Sequence, residues 1–266
     1  MNIRLVLAGL AASAALCAMP GTARAQIFVT SNVVDGKDTV GEYTTSGATV
    51  NAALLSALGF PTGIAVSGGN LFVASLNNGT IGEYTTSGAT VNPALVSGLS
   101  GPEGIAVSGG NLFVTSLNNG TNGTIGEYTT SGATVNAALV SGLNSPQGIA
   151  VSDGNLFVVT NFNNGTIGKY TTSGATVNAA LVSGLNSPEG IAVSDGNLFV
   201  AEFYGNTIGE YTTSGATVNA ALVWGVVSPS FIAVVDPSVP ETSIGTLLLL
   251  GATAMFGLKR FLRKLA

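Results

Sequence analysis

The chain has 266 residues, 46% of them hydrophobic, with 37 glycines, 8 Lys and Arg against 13 Asp and Glu, one cysteine and no histidine. Without histidine there can be no Ser-His-Asp or Cys-His catalysis and no His-ligated metal centre. The acidic balance lacks the dense Lys and Arg that phosphate neutralisation needs, so nucleic acid is excluded as a partner. The bases crowd at the two ends, leaving Lys37 and Lys169 in an otherwise acidic middle.

Residues 1–25 combine a basic start at Arg4, an apolar run from Leu5 to Met19, a helix-breaking Pro20-Gly21, and small residues Ala23 and Ala25 flanking Arg24. That is the pattern of a cleavable secretory signal helix, with cleavage after Ala25. A lipoprotein signal wants a small residue before its cysteine, and Leu16 precedes Cys17. Removal of the leader also removes the lone thiol, so no intrachain disulfide or thiol nucleophile is expected.

From residue 26 to 237 the chain repeats itself. The run Gly-Glu-Tyr-Thr-Thr-Ser-Gly-Ala-Thr-Val-Asn recurs with its tyrosine at Tyr43, Tyr84, Tyr128 and Tyr211, and with Lys in place of Glu at Tyr170. A period of forty-odd residues is that of a propeller blade. Each period carries four strand-like runs, clearest at 190–193, 198–201, 207–211 and 216–222. Asp195-Gly196-Asn197, Asn-Gly pairs such as Asn78-Gly79 and Asn164-Gly165, and Ser46-Gly47 with its copies supply three hairpin turns per unit. The first two strands are apolar on both faces, which suits sheets stacked face to face around an axis. The fold expected is all-β, a propeller of about five four-stranded blades.

The repeats open on a second strand, Ile27-Phe28-Val29, and end on a first strand, Phe231-Ile232-Ala233-Val234. Closure of the ring by pairing the C-terminal strand into the N-terminal blade is therefore expected, and it leaves no open edge.

Pro188-Glu189-Gly190-Ile191-Ala192-Val193, then Asp195-Gly196-Asn197-Leu198-Phe199-Val200-Ala201, then a turn and Thr207-Ile208, resembles the NHL repeat and the related lactonase-like propellers. The resemblance implies the fold, and in the lactonase-like relatives a divalent cation held in the central channel by carboxylate and Asn ligands. Glu103 and Glu189, which precede the inner strand, are the metal candidates; Gln147, Thr62 and Ser230 stand at the equivalent places. Because two of five are acidic, a solvated channel mouth outweighs a metal site, and no cofactor is expected. Glu202, standing where other repeats have Ser75, Ser116 or Thr160, is a weaker candidate still. The tyrosines suit packing between blades better than a sugar-stacking platform. Asp153-Gly154-Asn155 and its copy suit turns better than Ca²⁺ loops, and Trp224 is expected to cap the last interblade step.

Residues 238–266 form a second address. Val239, Pro240 and Glu241 open a motif over 239–243, an apolar helix over 244–258 follows, and a basic tail closes the chain at 259–264. Fifteen apolar residues flanked by bases read as a transmembrane anchor. The tail resembles the PEP-CTERM sorting signal in its Val-Pro-Asp-Ser-Gly-like form, with Thr242 in place of the second proline. The resemblance implies an exosortase-type membrane transpeptidase as partner, transient residence in the inner membrane, and delivery to the cell surface or extracellular matrix.

Near-identity of the repeats favours a scaffold over an active site. The expectation is thus an exported, non-enzymatic structural or interaction module that meets an extracellular polysaccharide or protein. Two alternatives are a glycan- or protein-binding module at the channel mouth, and a metal-dependent lactonase-like hydrolase.

Overall fold

Two successive residues with positive φ close a tight type I′ hairpin, and the sequence places Asp-Gly or Gly-Gly wherever the first strand of a repeat must reverse. Asp195 and Gly196 have φ of 49° and 73°, and Gly68 and Gly69 have 58° and 82°. The computed structural model describes residues 6–8, 14–17, 26–31, 38–44, 48–118, 122–161, 164–230, 232–234 and 249–250.

After a short β1 (Val6–Ala8), blade one is built from β2 (Ala14–Cys17), β3 (Gln26–Ser31), β4 (Thr39–Thr44) and β5 (Thr49–Ser56). Blade two comprises β6 (Pro61–Ser67), β7 (Asn70–Ser75), β8 (Thr80–Thr85) and β9 (Thr90–Val96). Blade three comprises β10 (Pro102–Ser108), β11 (Asn111–Ser116), β12 (Gly123–Thr129) and β13 (Thr134–Leu143). Blade four follows with β14 (Pro146–Ser152), β15 (Asn155–Thr160), β16 (Gly165–Thr171) and β17 (Thr176–Leu185), and blade five with β18 (Pro188–Ser194), β19 (Asn197–Glu202), β20 (Thr207–Thr212) and β21 (Thr217–Trp224). Each is an antiparallel meander in sequence order, and the first strands of neighbouring blades pack against one another around the axis. The expected five-bladed, four-stranded propeller is what forms.

The end of the ring differs from expectation. The inner strand of blade one is Ala14–Cys17, while β22 (Ile232–Val234) pairs with β1 beside blade five. Each of the other blades sets an alanine of its inner strand opposite a phenylalanine, as in Ala65–Phe72, Ala106–Phe113, Ala150–Phe157 and Ala192–Phe199, and Ala15 stands opposite Phe28 in the same way. Ala233 offers that residue equally, but β2 lies next to β3 in the chain, so its pairing closes a far shorter loop than that of the distant Ile232–Val234. A last short strand, β23 (Leu249–Leu250), pairs with Ile64 and Gly63 on the inner edge of blade two. The remainder of the expected signal helix and of the C-terminal helix lies outside the described residues. Among the described residues no helix is long and apolar enough to cross a membrane.

Inner strands are buried on both faces, as the unbroken apolar runs require; Ile64, Ala65, Leu71 and Val73 have no exposed surface. Tyr84, Tyr128, Tyr170 and Tyr211 are buried in clusters that join each blade to its predecessor, as expected of interblade packing. The outermost strands are solvated edges, each broken by a bulge. At each bulge an asparagine, such as Asn136 or Asn178, accepts a hydrogen bond through Oδ1 from the N–H two residues on, at 3.1 and 3.0 Å. That occupies a backbone donor which would otherwise invite strand addition.

The second hairpin of each repeat is not the two-residue Asn-Gly turn expected. Four residues separate β7 from β8, and of Asn78 and Gly79 only Gly79 takes a positive φ, 62°. The Asn78 side chain instead donates to the Leu58 carbonyl of the preceding blade at 3.2 Å. Here the longer loop ties blades together, which a tight turn could not do.

Candidate active site

At the start of the inner strand of blades two to five a proline pairs with the neighbouring strand and the ladder then slips before resuming. The shift lies between Pro61 and Ile64, Pro102 and Ile105, Pro146 and Ile149, and Pro188 and Gly190. Thr62, Glu103, Gln147 and Glu189 sit within these bulges. A bulge frees a side chain from the pleat and re-aims it, and bulges recur beside active sites for that reason.

Hydrogen bonds lock successive bulges to one another. Thr30 Oγ1 donates to the Thr62 carbonyl at 3.0 Å, and Thr62 Oγ1 to the Pro102 carbonyl at 2.9 Å. Thr115, fully buried on β11, accepts from the Gly104 N–H at 2.7 Å and donates to the Gln147 carbonyl at 2.6 Å. Thr62 and Thr115 together thereby hold the backbone on either side of Glu103, at Pro102 and Gly104.

Glu103 and Glu189 stand at the same place in the inner strands of blades three and five, close enough for their charges to interact. Burial, and after it the charge of Glu189, raise the Glu103 carboxyl to about 8. Burial likewise raises Glu189 to about 7, opposed by a hydrogen bond from the Ser230 hydroxyl, which favours its charged form. Interacting carboxyls with raised, unequal affinities for protons are candidates for acid–base chemistry. Among the described residues no three His, Cys, Asp or Glu come together as a metal cluster.

The weaker candidates resolve differently. Glu202 is buried; its Oε2 accepts from the Asn186 N–H at 2.7 Å, and Oε1 from the Tyr211 hydroxyl at 3.4 Å. It anchors the loop that leads to Glu189. Asp153-Gly154 and Asp195-Gly196 are the type I′ turns expected. Trp224, expected to cap an interblade step, is instead 81% exposed at the end of β21. Ala23, Ala25, Val239, Pro240 and Glu241 lie outside the described residues.

Sequence reasoning missed Thr115. Its position is held by Thr30 in blade one, which makes the corresponding bond to the Thr62 carbonyl, and by Ala74, Val159 and Ala201 in the others, so a hydroxyl at two of five otherwise apolar positions was the available signal. It also missed why Gly-Glu-Tyr recurs in the third strands: half-buried Glu83 and buried Glu127 and Glu210 accept from Asn70, Asn111 and Asn197 at 2.6, 2.6 and 2.9 Å. Blade four replaces this glutamate by Lys169, whose Nζ donates to the Thr213 carbonyl at 3.1 Å and lies 5.3 Å from the Phe157 ring centroid.

The model of the virginiamycin B lyase family matches residues 10–238, which span all five blades. The chain belongs to that family. No curated protein matches it in sequence. Among solved structures it is similar to a chain of a nidogen/laminin complex, with 17% identity, a TM-score of 0.66, and coverage of 82% of this chain and 96% of that one. A gluconolactonase of Xanthomonas campestris shares 14% identity at TM-score 0.66, covering 93% and 89%. A catalytically inactive histidine-to-alanine variant of Staphylococcus aureus virginiamycin B lyase, bound to quinupristin, shares 19% identity at TM-score 0.56, covering 94% and 98%.

The expectation of a non-enzymatic module is corrected by these relationships, since the family and two of these three neighbours carry the names of enzymes. The near-identity of the repeats misled because it is incomplete: the blades differ at the bulge residue and at Thr115, Lys169 and Glu202. This chain has no histidine to match the one replaced in the inactive lyase variant.

Proposed function

We propose that the protein is a hydrolase that opens a cyclic ester in the channel, using Glu103 and Glu189 as an acid–base pair. The observation behind this reading is that two bulge residues, placed alike in blades three and five, carry carboxyls whose charges interact and whose proton affinities are raised to about 8 and about 7. Near neutrality Glu103 is mostly protonated and Glu189 is divided between its two forms. Ionised Glu189 takes a proton from water as the oxygen attacks the ester carbonyl, and protonated Glu103 gives its proton to the departing alkoxide oxygen. Atoms balance: one water enters, the acyl–oxygen bond breaks, and a hydroxy acid leaves.

Two features support a cyclic ester. A gluconolactonase is among the neighbours, and the absence of histidine separates this chain from the lyase whose histidine-to-alanine variant is inactive. Thr115 and Thr62 hold the bulges in place, so the carboxyls meet substrate without reorganisation.

The divalent cation of lactonase-like propellers is a poor fit for this donor set: two carboxyls stand at the bulges, no third His, Cys, Asp or Glu joins them among the described residues, and a carboxyl that gives its proton to a leaving group cannot at the same time ligate an ion.

We infer, from the two ends of the sequence, that the protein acts outside the cytoplasm. Residues 1–25 with Ala23 and Ala25 support export, and the motif at Val239, Pro240 and Glu241 before an apolar run supports sorting by an exosortase-type transpeptidase to the surface.

The test is hydrolysis of a panel of γ- and δ-lactones by the protein, with and without added Ca²⁺ or Mg²⁺. Glu103→Gln and Glu189→Gln are each expected to cut kcat by about a hundredfold or more, the usual worth of a positioned acid or base. Undiminished turnover in both variants would rule this site out.

A further inference from the structure

We infer that the cleft between blades four and five is a binding subsite for a neutral glycan, distinct from the carboxyl pair. The cleft measures about 510 Å³ and is lined by Asn161, Asn164, Asn186, Ser187 and Tyr204 together with glycine and leucine. It lies at the end of the propeller where the inner strands begin, two residues from Glu189 along the chain.

Three observations converge. The first is the asparagines: among the described residues the side chains of Asn161, Asn164 and Asn186 make no hydrogen bond, whereas Asn78, Asn118 and Asn206 in comparable loops donate to Leu58, Thr124 and Tyr204. Their amide donors and acceptors are therefore available to a ligand.

The second is Tyr204. It is 70% exposed, and its ring stands edge-on to Phe203 with centroids 5.1 Å apart and planes at 80°. Blades two and three have Asn77 and Asn118 at that position, so the fold does not require an aromatic ring there.

The third is rigidity. Glu202, found in blade five alone, accepts from the Asn186 N–H at 2.7 Å, and the Phe203 N–H donates to the Ser187 carbonyl at 2.9 Å. The two loops that form the walls are thus tied together before any ligand arrives, which lowers the ordering cost of binding.

The chemistry selects the ligand class. The lining has no charged side chain, so an anion or cation would lose hydration with nothing in return. Amides beside an exposed ring instead fit a molecule with a flat C–H face and a hydroxylated edge, which describes a pyranose. Most small-molecule pockets are lined chiefly by apolar groups, and this one is not.

The inference is independent of the lactone reading and is tested with a different probe. Calorimetric titration of the full chain with cellohexaose, maltohexaose and chitohexaose should show binding of at least one, and none of comparable strength for hexagalacturonate. Tyr204→Ala should weaken that binding by about tenfold, the equivalent of one aromatic stacking contact, while Tyr204→Phe retains it. The unfolding midpoint should stay unchanged, and Glu103→Gln should bind as tightly as the parent. Failure of all three neutral sugars at millimolar concentration would overturn the proposal. So would equal binding by Tyr204→Ala, or a preference for an uncharged decapeptide over every sugar.

Discussion

The ring of Tyr211 folds back over Gly209, so closely that a β-carbon on the glycine would stand 2.7 Å from Tyr211 Cε2. The same relationship joins Gly82 to Tyr84, Gly126 to Tyr128 and Gly168 to Tyr170, each at 2.7 Å. It explains why Gly-Glu-Tyr recurs as a unit: the glycine makes room on one face of the strand for a ring that fills the interblade core. Gly209→Ala is expected to lower stability by about 1–3 kcal/mol, the usual cost of overpacking. Chemical denaturation measures it, and an unchanged midpoint would contradict the packing described.

Asn197 is the described hydrogen-bond donor to buried Glu210, whereas Asn155 in blade four donates only to the exposed Asp153 carbonyl at 2.9 Å. Asn197→Ala should therefore cost about 1–3 kcal/mol, the penalty of an unsatisfied buried acceptor, and Asn155→Ala much less. The comparison uses identical substitutions at equivalent positions, so equal losses would show that the pairing carries no energy.

Thr115 is a positioning residue. Thr115→Val keeps the shape but leaves the Gly104 N–H and the Gln147 carbonyl without the hydroxyl that joins them. Expected is a loss of about 1–3 kcal/mol in stability together with a fall in kcat at little-changed KM. A purely structural role would lower stability and leave the activity of the folded protein as it was.

Stability should also depend on pH in a defined direction. Glu103 and Glu189 hold their protons more tightly in the folded chain than at the ordinary carboxyl value of 4.5, so the folded state binds more protons between that value and their raised ones. The stability they contribute is full below about pH 4.5 and is lost as pH rises through about 7 and about 8. Glu103→Gln should thus raise the melting temperature at pH 9 and leave it nearly unchanged at pH 4. A gain at pH 4 alone would reverse the sign of the coupling.

Much of this architecture is legible in the chain. The 41-residue step from Tyr43 to Tyr84, the Asp-Gly and Gly-Gly reversals and the apolar inner runs lead to four strands per blade and to five blades. What misleads is non-local. Ala14–Cys17 carries the marks of a leader, and its capacity to set Ala15 opposite Phe28 depends on strand geometry that hydropathy does not encode. Glu103 and Glu189 are visible as residues preceding the inner strand, but the interaction of their charges depends on how blades three and five are placed around the ring. Asn161, Asn186 and Tyr204 come from two separate repeats and meet only between blades four and five.

The central claim is that Glu103 and Glu189 act together on a cyclic ester, and the pH profile of δ-lactone hydrolysis tests it most directly. The account predicts a bell-shaped kcat/KM whose two limbs belong to the coupled pair, with the alkaline limb removed in Glu103→Gln and residual turnover falling about a hundredfold or more. A profile unchanged in the Glu103→Gln, Glu189→Gln double variant would contradict it and move the chemistry elsewhere on the propeller.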